Sequence, residues 1–205
     1  MTELEIKIIL VRHLLENSHN FVISSEFSFE FGKRRADLAL LETNSLTAFE
    51  IKSSRDTINR LSYQINSYKK FFDFCFVVCE PNNLSEIRAA LPKDIGILLA
   101  DDKGITHIRK SKLIKRHDKS VIANSLNIKN LSRLSKNKKL KSKYELCKHV
   151  SKHYPLELLR KLSREYFNEK YSVTSILLKQ ETTKHLNSDD IYTITKKAPS
   201  LLKKK

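Results

Sequence analysis

The chain has no run of the ~18 consecutive apolar residues that a membrane-spanning helix needs. No strongly amphipathic, aromatic-rich helix stands out either, so no membrane partner is expected. Its first residues, Met1-Thr2-Glu3-Leu4-Glu5, are acidic where a secretory leader is basic, so a cytoplasmic protein is expected. Cysteine is scarce, with 3 in 205 residues. Cys75 and Cys79 alternate within Phe74-Cys75-Phe76-Val77-Val78-Cys79 and are expected to pack in the core of one strand, and Cys147 lies far away. Neither a disulfide framework nor a zinc site is supported. The 7 histidines are scattered without metal-ligand spacing.

What the chain does have is positive charge, unevenly placed. Residues 1–110 hold 15 Lys and Arg against 15 Asp and Glu, and residues 111–205 hold 24 against 8, together the chain's 39 and 23. The whole net charge of +16 therefore falls in the last 95 residues. The densest stretch is Lys136-Asn137-Lys138-Lys139-Leu140-Lys141-Ser142-Lys143. A basic segment joined to a neutral one points to a nucleic-acid grip, with Lys136, Lys138, Lys139, Lys141 and Lys143 meeting phosphates without regard to sequence. A merely solvated lysine-rich surface is the plainer alternative.

The neutral part carries the chemistry. Asp37 and Glu50-Ile51-Lys52 are charged groups inside apolar, strand-like segments at 34–41 and 46–53, separated by Glu42-Thr43-Asn44-Ser45. Charges in such places have a partner or a task. Facing residues of an antiparallel hairpin have numbers of constant sum. With Leu41 opposite Leu46, Ala39 faces Ala48, Asp37 faces Glu50 and Arg35 faces Lys52, all on one side. Leu38, Leu40, Phe49 and Ile51 then point into a core on the other side. Adjacent carboxylates repel, and a hard cation such as Mg²⁺ or Mn²⁺ relieves them. The Ile51 carbonyl could add a third ligand, and Lys52 could orient a water or stabilise charge on a phosphate. An ion-pair cluster of Asp37, Glu50, Lys52 and Arg35 is the structural alternative. A following helix, expected over 58–72 with Asp56 or Thr57 as its cap, places Gln64 and Tyr68 four apart on one face, where both can reach the same site.

The order Asp37, Glu50-x-Lys52, Gln64-x-x-x-Tyr68 resembles the PD-(D/E)xK nuclease superfamily, most closely its RecB-like branch. Residues 35 to about 80 also resemble a family of small, poorly characterised bacterial proteins built on that core. Ala36 stands where the name-giving motif has proline. The resemblance covers roughly residues 1–110 and implies a metal-dependent phosphodiester hydrolase. In it Asp37 and Glu50 are ligands, Lys52 is the catalytic lysine, and Gln64 and Tyr68 are accessory. Members often add an upstream glutamate. Glu5 stands at capping-box spacing from Thr2 and Glu16 at the end of the first helix. Glu26, in the strand before the hairpin, is preferred.

The expected element order is a helix over 3–16, strands at 21–31, 34–41 and 46–53, the helix over 58–72, a strand at 74–79 and a short helix at 84–91. Strands at 95–100 and 105–109 then flank a turn at Asp102-Lys103-Gly104. This is an α/β fold, a mixed central sheet flanked by helices with a restriction-endonuclease-like core. It divides into a nuclease core over 1–110 and a basic helical region over 111–205. That region reads as a linker with short helices over 111–142, then helices over 143–153, 155–169, 172–180 and 188–197. Pro155 stands at one helix start, Ser188-Asp189-Asp190 cap another, and a frayed tail follows from Pro199. Two functions follow: a Mg²⁺-dependent nuclease, DNA favoured over RNA and possible as a homodimer, or a non-catalytic nucleic-acid-binding or regulatory protein on a nuclease-like fold.

Overall fold

Apolar alternation along Phe21–Phe29 (β1), Arg34–Glu42 (β2) and Ser45–Lys52 (β3) folds these segments into an antiparallel meander in the computed structural model, which describes residues 1–18, 20–181 and 186–195. Phe74–Cys79 (β4) and Gly96–Asp101 (β5) add parallel strands, and Gly104–Arg109 (β6) closes the sheet antiparallel to β5. The spatial order is β1-β2-β3-β4-β5-β6. The mixed α/β sheet flanked by helices is the fold class that the sequence implies.

The hairpin register holds: Leu41 faces Leu46, and Ala39 faces Ala48. The connection is tighter than the sequence suggests. Pairing continues to Glu42 and Ser45, so the turn is Thr43-Asn44 alone, with Thr43 at φ 55°. At the other end the pairing stops at Leu38 and Phe49. One step further the Asp37 side chain, not a backbone carbonyl, accepts the Ile51 N–H at 2.6 Å. In β1, Glu26 has φ 54° and drops out of the ladder between Ser25↔Leu38 and Phe27↔Ala36. The strand ends at Phe29 rather than at residue 31, because Glu30, Phe31 and Gly32 turn the chain with φ of 48°, 59° and 79°.

Helices cover both faces. Glu3–Asn17 (α1) opens with the expected Thr2–Glu5 capping box and buries Ile6, Leu10 and Val11 against Leu38, Leu40, Phe49 and Ile51. Leu61–Tyr68 (α2) and Leu84–Ala90 (α3) lie on the opposite face, over Ala39, Ala48 and Val77. Helix α2 is shorter than its amphipathic pattern. It starts after Arg60 without a side-chain cap, and Asp56 instead accepts from the Ser53 N–H and hydroxyl at 2.8 and 2.7 Å.

The basic half is helical as expected: Lys119–Asn124 (α4), Ile128–Ser135 (α5), Lys143–His153 (α6), Leu156–Glu181 (α7) and Ser188–Thr195 (α8). Helix α7 is one element where the sequence suggests a break near residue 170. It contains no glycine or proline, and Leu159, Phe167, Tyr171 and Leu178 keep one buried stripe going. Asn187, not Ser188, caps α8, accepting the Asp189 N–H at 2.7 Å. The last two residues of the expected 188–197 helix, and the tail from Pro199, lie outside the described residues.

These helices share the sheet's cores. Leu131, Leu146, Leu159 and Phe167 pack in one cluster with Ala39, Tyr68 and Cys75, and Leu178 and Ile191 join the other with Leu10 and Phe49. Helix α7 also covers the edge of β1. Ser175 Oγ accepts the Ile23 N–H at 2.9 Å and Lys179 Nζ donates to the Phe21 carbonyl at 2.8 Å. An edge strand covered in this way has fewer backbone groups left to recruit another chain. Fully buried Asp73 anchors α7, accepting from Arg164 at 2.9 Å, from Arg160, and from the Leu46 N–H at 2.7 Å. All three cysteines are buried and free, and burial lifts the Cys79 and Cys147 thiols to about 11. No helix among the described residues is long and apolar enough to cross a membrane.

Candidate active site at the end of the hairpin

Strand β3 carries Glu50 and Lys52 on one face, and α2 lies across that face with Gln64 and Tyr68 one turn apart. The Glu50 side chain, 2% exposed, accepts from the Tyr68 hydroxyl, from Gln64 Nε2 at 2.5 Å and from Lys52 Nζ at 2.8 Å. The sequence therefore anticipates the grouping of Glu50, Lys52, Gln64 and Tyr68. Burial, then the Glu50 and Asp37 charges, push the Tyr68 phenol well above its ordinary range, which keeps it a proton donor to Glu50. The other amide atom, Gln64 Oε1, is buried without a hydrogen-bond partner.

Asp37 stands beside this cluster. Burial and the Glu50 charge raise its carboxyl well above the usual range, and the Ile51 N–H only partly offsets them. Carboxylate oxygens of Glu3, Glu26 and Asp37 lie within 4.8 Å of one another. Glu26 thus joins Asp37 as expected, whereas Glu5 is occupied in the α1 cap and Glu16 is exposed. The Ile51 contact recorded at Asp37 is through its N–H.

Glu3 and Lys7 are the members that the sequence did not single out. Lys7, 5% exposed, reaches Glu26 at 2.6 Å and Glu3 at 3.1 Å. Burial opposes its charge, but Glu26 outweighs burial and raises its pKa. A signal was available: Lys7 sits at i+4 from Glu3, beside Ile6, Leu10 and Val11 on the buried stripe of α1. Arg35, expected opposite Lys52, is exposed and pairs with Glu26 at 2.5 Å: pairing of β2 with β3 has ended by that point, while β2 still pairs with β1 at Ser28↔Arg35.

The donor set suits a hard divalent cation. The crowded carboxylates of Glu3, Glu26 and Asp37 are hard oxygen ligands, although Lys7 and Arg35 already pair with Glu3 and Glu26. Glu50 is different, since Tyr68, Gln64 and Lys52 already occupy it. A cation drawing on Glu50 displaces one of those donors.

The lysine run is split by the fold. Lys136 caps α5 at φ 52°, and Lys136, Lys138, Lys139 and Lys141 are exposed on the α5–α6 connection. Lys143 begins α6 and is half-buried at the wall of a cavity.

Protein cII of Enterobacteria phage P4 is 35% identical over 100 residues, which span 48% of this chain and 38% of that protein. Among solved structures, the SPO1766 protein of unknown function from Silicibacter pomeroyi is 24% identical, with a TM-score of 0.45 over 57% of this chain and 76% of that one. The family described as Bacteriophage P4 protein cII matches residues 1–195. The chain belongs to the bacteriophage P4 protein cII family.

Proposed function

We propose that this protein is a metal-dependent nuclease that hydrolyses phosphodiester bonds in nucleic acid, DNA in preference to RNA, in the cytoplasm. The observation that carries this reading is Glu50. It is a buried carboxylate held by Tyr68, Gln64 and Lys52, next to an Asp37 whose ionisation burial and Glu50 resist. Active sites concentrate buried ionisable groups set close to one another.

Asp37 and Glu50, with Glu26 and Glu3 beside them, would hold Mg²⁺ or Mn²⁺, which polarises a phosphate and makes a bound water more acidic. The remaining work falls to the chain's own side chains. Tyr68 and Gln64 fix the orientation of Glu50. Lys7 holds Glu3 and Glu26 in place. Lys52, which donates to Glu50, would orient the attacking water and stabilise negative charge as the P–O bond breaks. The exposed lysines at 136, 138, 139 and 141 would hold the phosphate backbone.

One observation favours the second reading, a non-catalytic nucleic-acid-binding or regulatory protein. Glu50 is already satisfied by protein donors, as in a structural ion-pair cluster. The deciding experiment incubates the protein with single- and double-stranded DNA and RNA, with Mg²⁺, with Mn²⁺ and with chelator, beside Glu50→Ala and Lys52→Ala. Metal-dependent cleavage lost in both variants is expected. Binding without cleavage on every substrate, or cleavage indifferent to both substitutions, overturns the enzyme reading in favour of the second.

A further inference from the structure

A cavity of about 690 Å³ lies away from the carboxylates, between the end of β1, the loop after α4, and helices α6 and α7. Its size falls among ordinary small-ligand sites. Two features set it apart from a packing defect.

The first is charge. Lys143 and Lys170 both line it, both are half-buried, and neither has a carboxylate within 4.0 Å among the described residues. Lys170 makes one cation–π contact, 4.5 Å from the Tyr171 ring. Burial lowers the pKa of both lysines, and Lys170 adds to the effect on Lys143. Two ammonium groups facing one partly dry space are costly without an anion.

The second is the mouth. The Phe31 and Tyr144 rings stand 5.8 Å apart, and Tyr144 is 62% exposed. Phe31 reaches this place from a left-handed backbone conformation, φ 59°, pinned by its N–H donating to the Asn124 side chain at 2.9 Å. Such conformations are unfavourable for a bulky residue and persist where the surroundings impose them. The strained turn holds an aromatic ring at the cavity entrance.

We infer that this cavity binds one nucleotide unit, its phosphate between Lys143 and Lys170 and its base against Phe31 and Tyr144. The ligand class is an anion joined to a flat ring, in the size range that the volume admits. A free nucleotide and a nucleotide residue within a single strand share that chemistry. The site is separate from the carboxylate cluster, so it stands whether or not the protein cuts nucleic acid.

The test uses the full chain, which has 7 tyrosines and no tryptophan, so the part of the tyrosine quench that Tyr144→Ala abolishes is the share due to Tyr144, and calorimetry gives the affinity of each variant. Titrants are a nucleoside monophosphate, a six-nucleotide single-stranded DNA, ribose 5-phosphate and an unphosphorylated nucleoside, without metal. Quenching by the first or second is expected, with the other two binding about tenfold weaker or less. Tighter binding of the monophosphate identifies a free nucleotide, and tighter binding of the oligonucleotide identifies a strand. Lys143→Gln, Lys170→Met and Tyr144→Ala should each weaken binding about tenfold. Acetylation of Lys143 and Lys170 in the unaltered protein provides a second measurement that needs no variant, and the bound titrant should protect both. No binding by either nucleotide titrant, equal binding of ribose 5-phosphate, or unprotected lysines overturns the inference.

Discussion

Asp73→Asn tests how α7 is tied to the sheet. Asp73 has no exposed surface, and it neutralises Arg164, itself 2% exposed, at 2.9 Å. Asparagine keeps the shape and can still accept the Leu46 N–H, so the loss is the charge. Arg160 is about a quarter exposed and can turn to water, but Arg164 cannot. Breaking a buried pair by removing one partner costs about 3–5 kcal/mol. With one guanidinium stranded and the other free to leave, the lower part of that range applies. For a chain of this length it corresponds to a fall in Tm of roughly 6–15 °C. Thermal and urea unfolding followed by circular dichroism measure it. Asp73→Asn/Arg164→Met should recover about 2 kcal/mol or more, because removing the second member of the pair leaves no stranded buried charge. Acidity gives a further signature. Burial opposes ionisation of Asp73, but Arg164 and the Leu46 N–H outweigh it and hold the carboxyl below its usual range. A group lowered in the folded state contributes stability above its unfolded pKa, about 3.9, and loses it as pH falls below that value. Asp73→Asn should flatten this acid limb. A Tm change under about 3 °C, or a double variant no better than the single one, refutes the reasoning.

His117 should add a second, milder acid limb beginning near pH 6.5. Burial lowers its pKa against the pull of Asp73, its Nε2 is 3.0 Å from the Phe72 carbonyl, and a proton on buried Nδ1 finds no acceptor. His117→Gln should remove that limb in a pH series of melts. Tyr68→Phe leaves buried Glu50 with one donor fewer, costing about 1–3 kcal/mol in urea unfolding. If Glu50 serves the proposed hydrolysis, the metal-dependent cleavage rate should also fall about 10–100-fold. Gly96→Ala puts a Cβ 2.2 Å from the Phe76 ring and 2.9 Å from the Ser111 nitrogen, so about 1–3 kcal/mol of stability should be lost. Replacing Lys136, Lys138, Lys139 and Lys141 together by alanine should leave Tm within a few degrees. It should reduce the slope of log affinity for duplex DNA against log salt by up to about four, and an unchanged slope removes these lysines from the grip.

The hairpin was legible because its information is local. Period-2 alternation on two short strands, with the Leu41–Leu46 pair fixing the offset, specifies which side chains share a face, and Ala39 and Ala48 meet as that arithmetic requires. The same reasoning reached Gln64 and Tyr68, whose spacing on a helix does not depend on anything distant. It fell short where the backbone leaves regular pairing. The β2–β3 pairing stops before Asp37 while β2 stays paired with β1, so Arg35 meets Glu26 instead of Lys52. Glu26 itself sits in a left-handed conformation that no strand pattern announces. Glu3 and Lys7 reach the carboxylates only because α1 packs over the far face of the hairpin, and that placement is tertiary.

Charge by segment is a weaker guide to function than charge by exposure. Arg164 counts toward the basic half, yet it is buried against Asp73 and meets no solvent. Arg160 shares that carboxylate, Lys179 holds the carbonyl of Phe21, and Lys143 and Lys170 face the cavity. Helix α7 alone thus spends basic residues on the core, on the edge of β1 and on a ligand-sized space. A chain cut near residue 110 loses the exposed lysines between α5 and α6, and with them the partners of Asp73, the cover over Ile23 and much of one core. Its weaker binding to nucleic acid would follow from disrupted packing as readily as from lost contacts. The exposed lysines between α5 and α6 belong to neither core, so the salt slope of their alanine variant separates grip from fold, which the truncation does not.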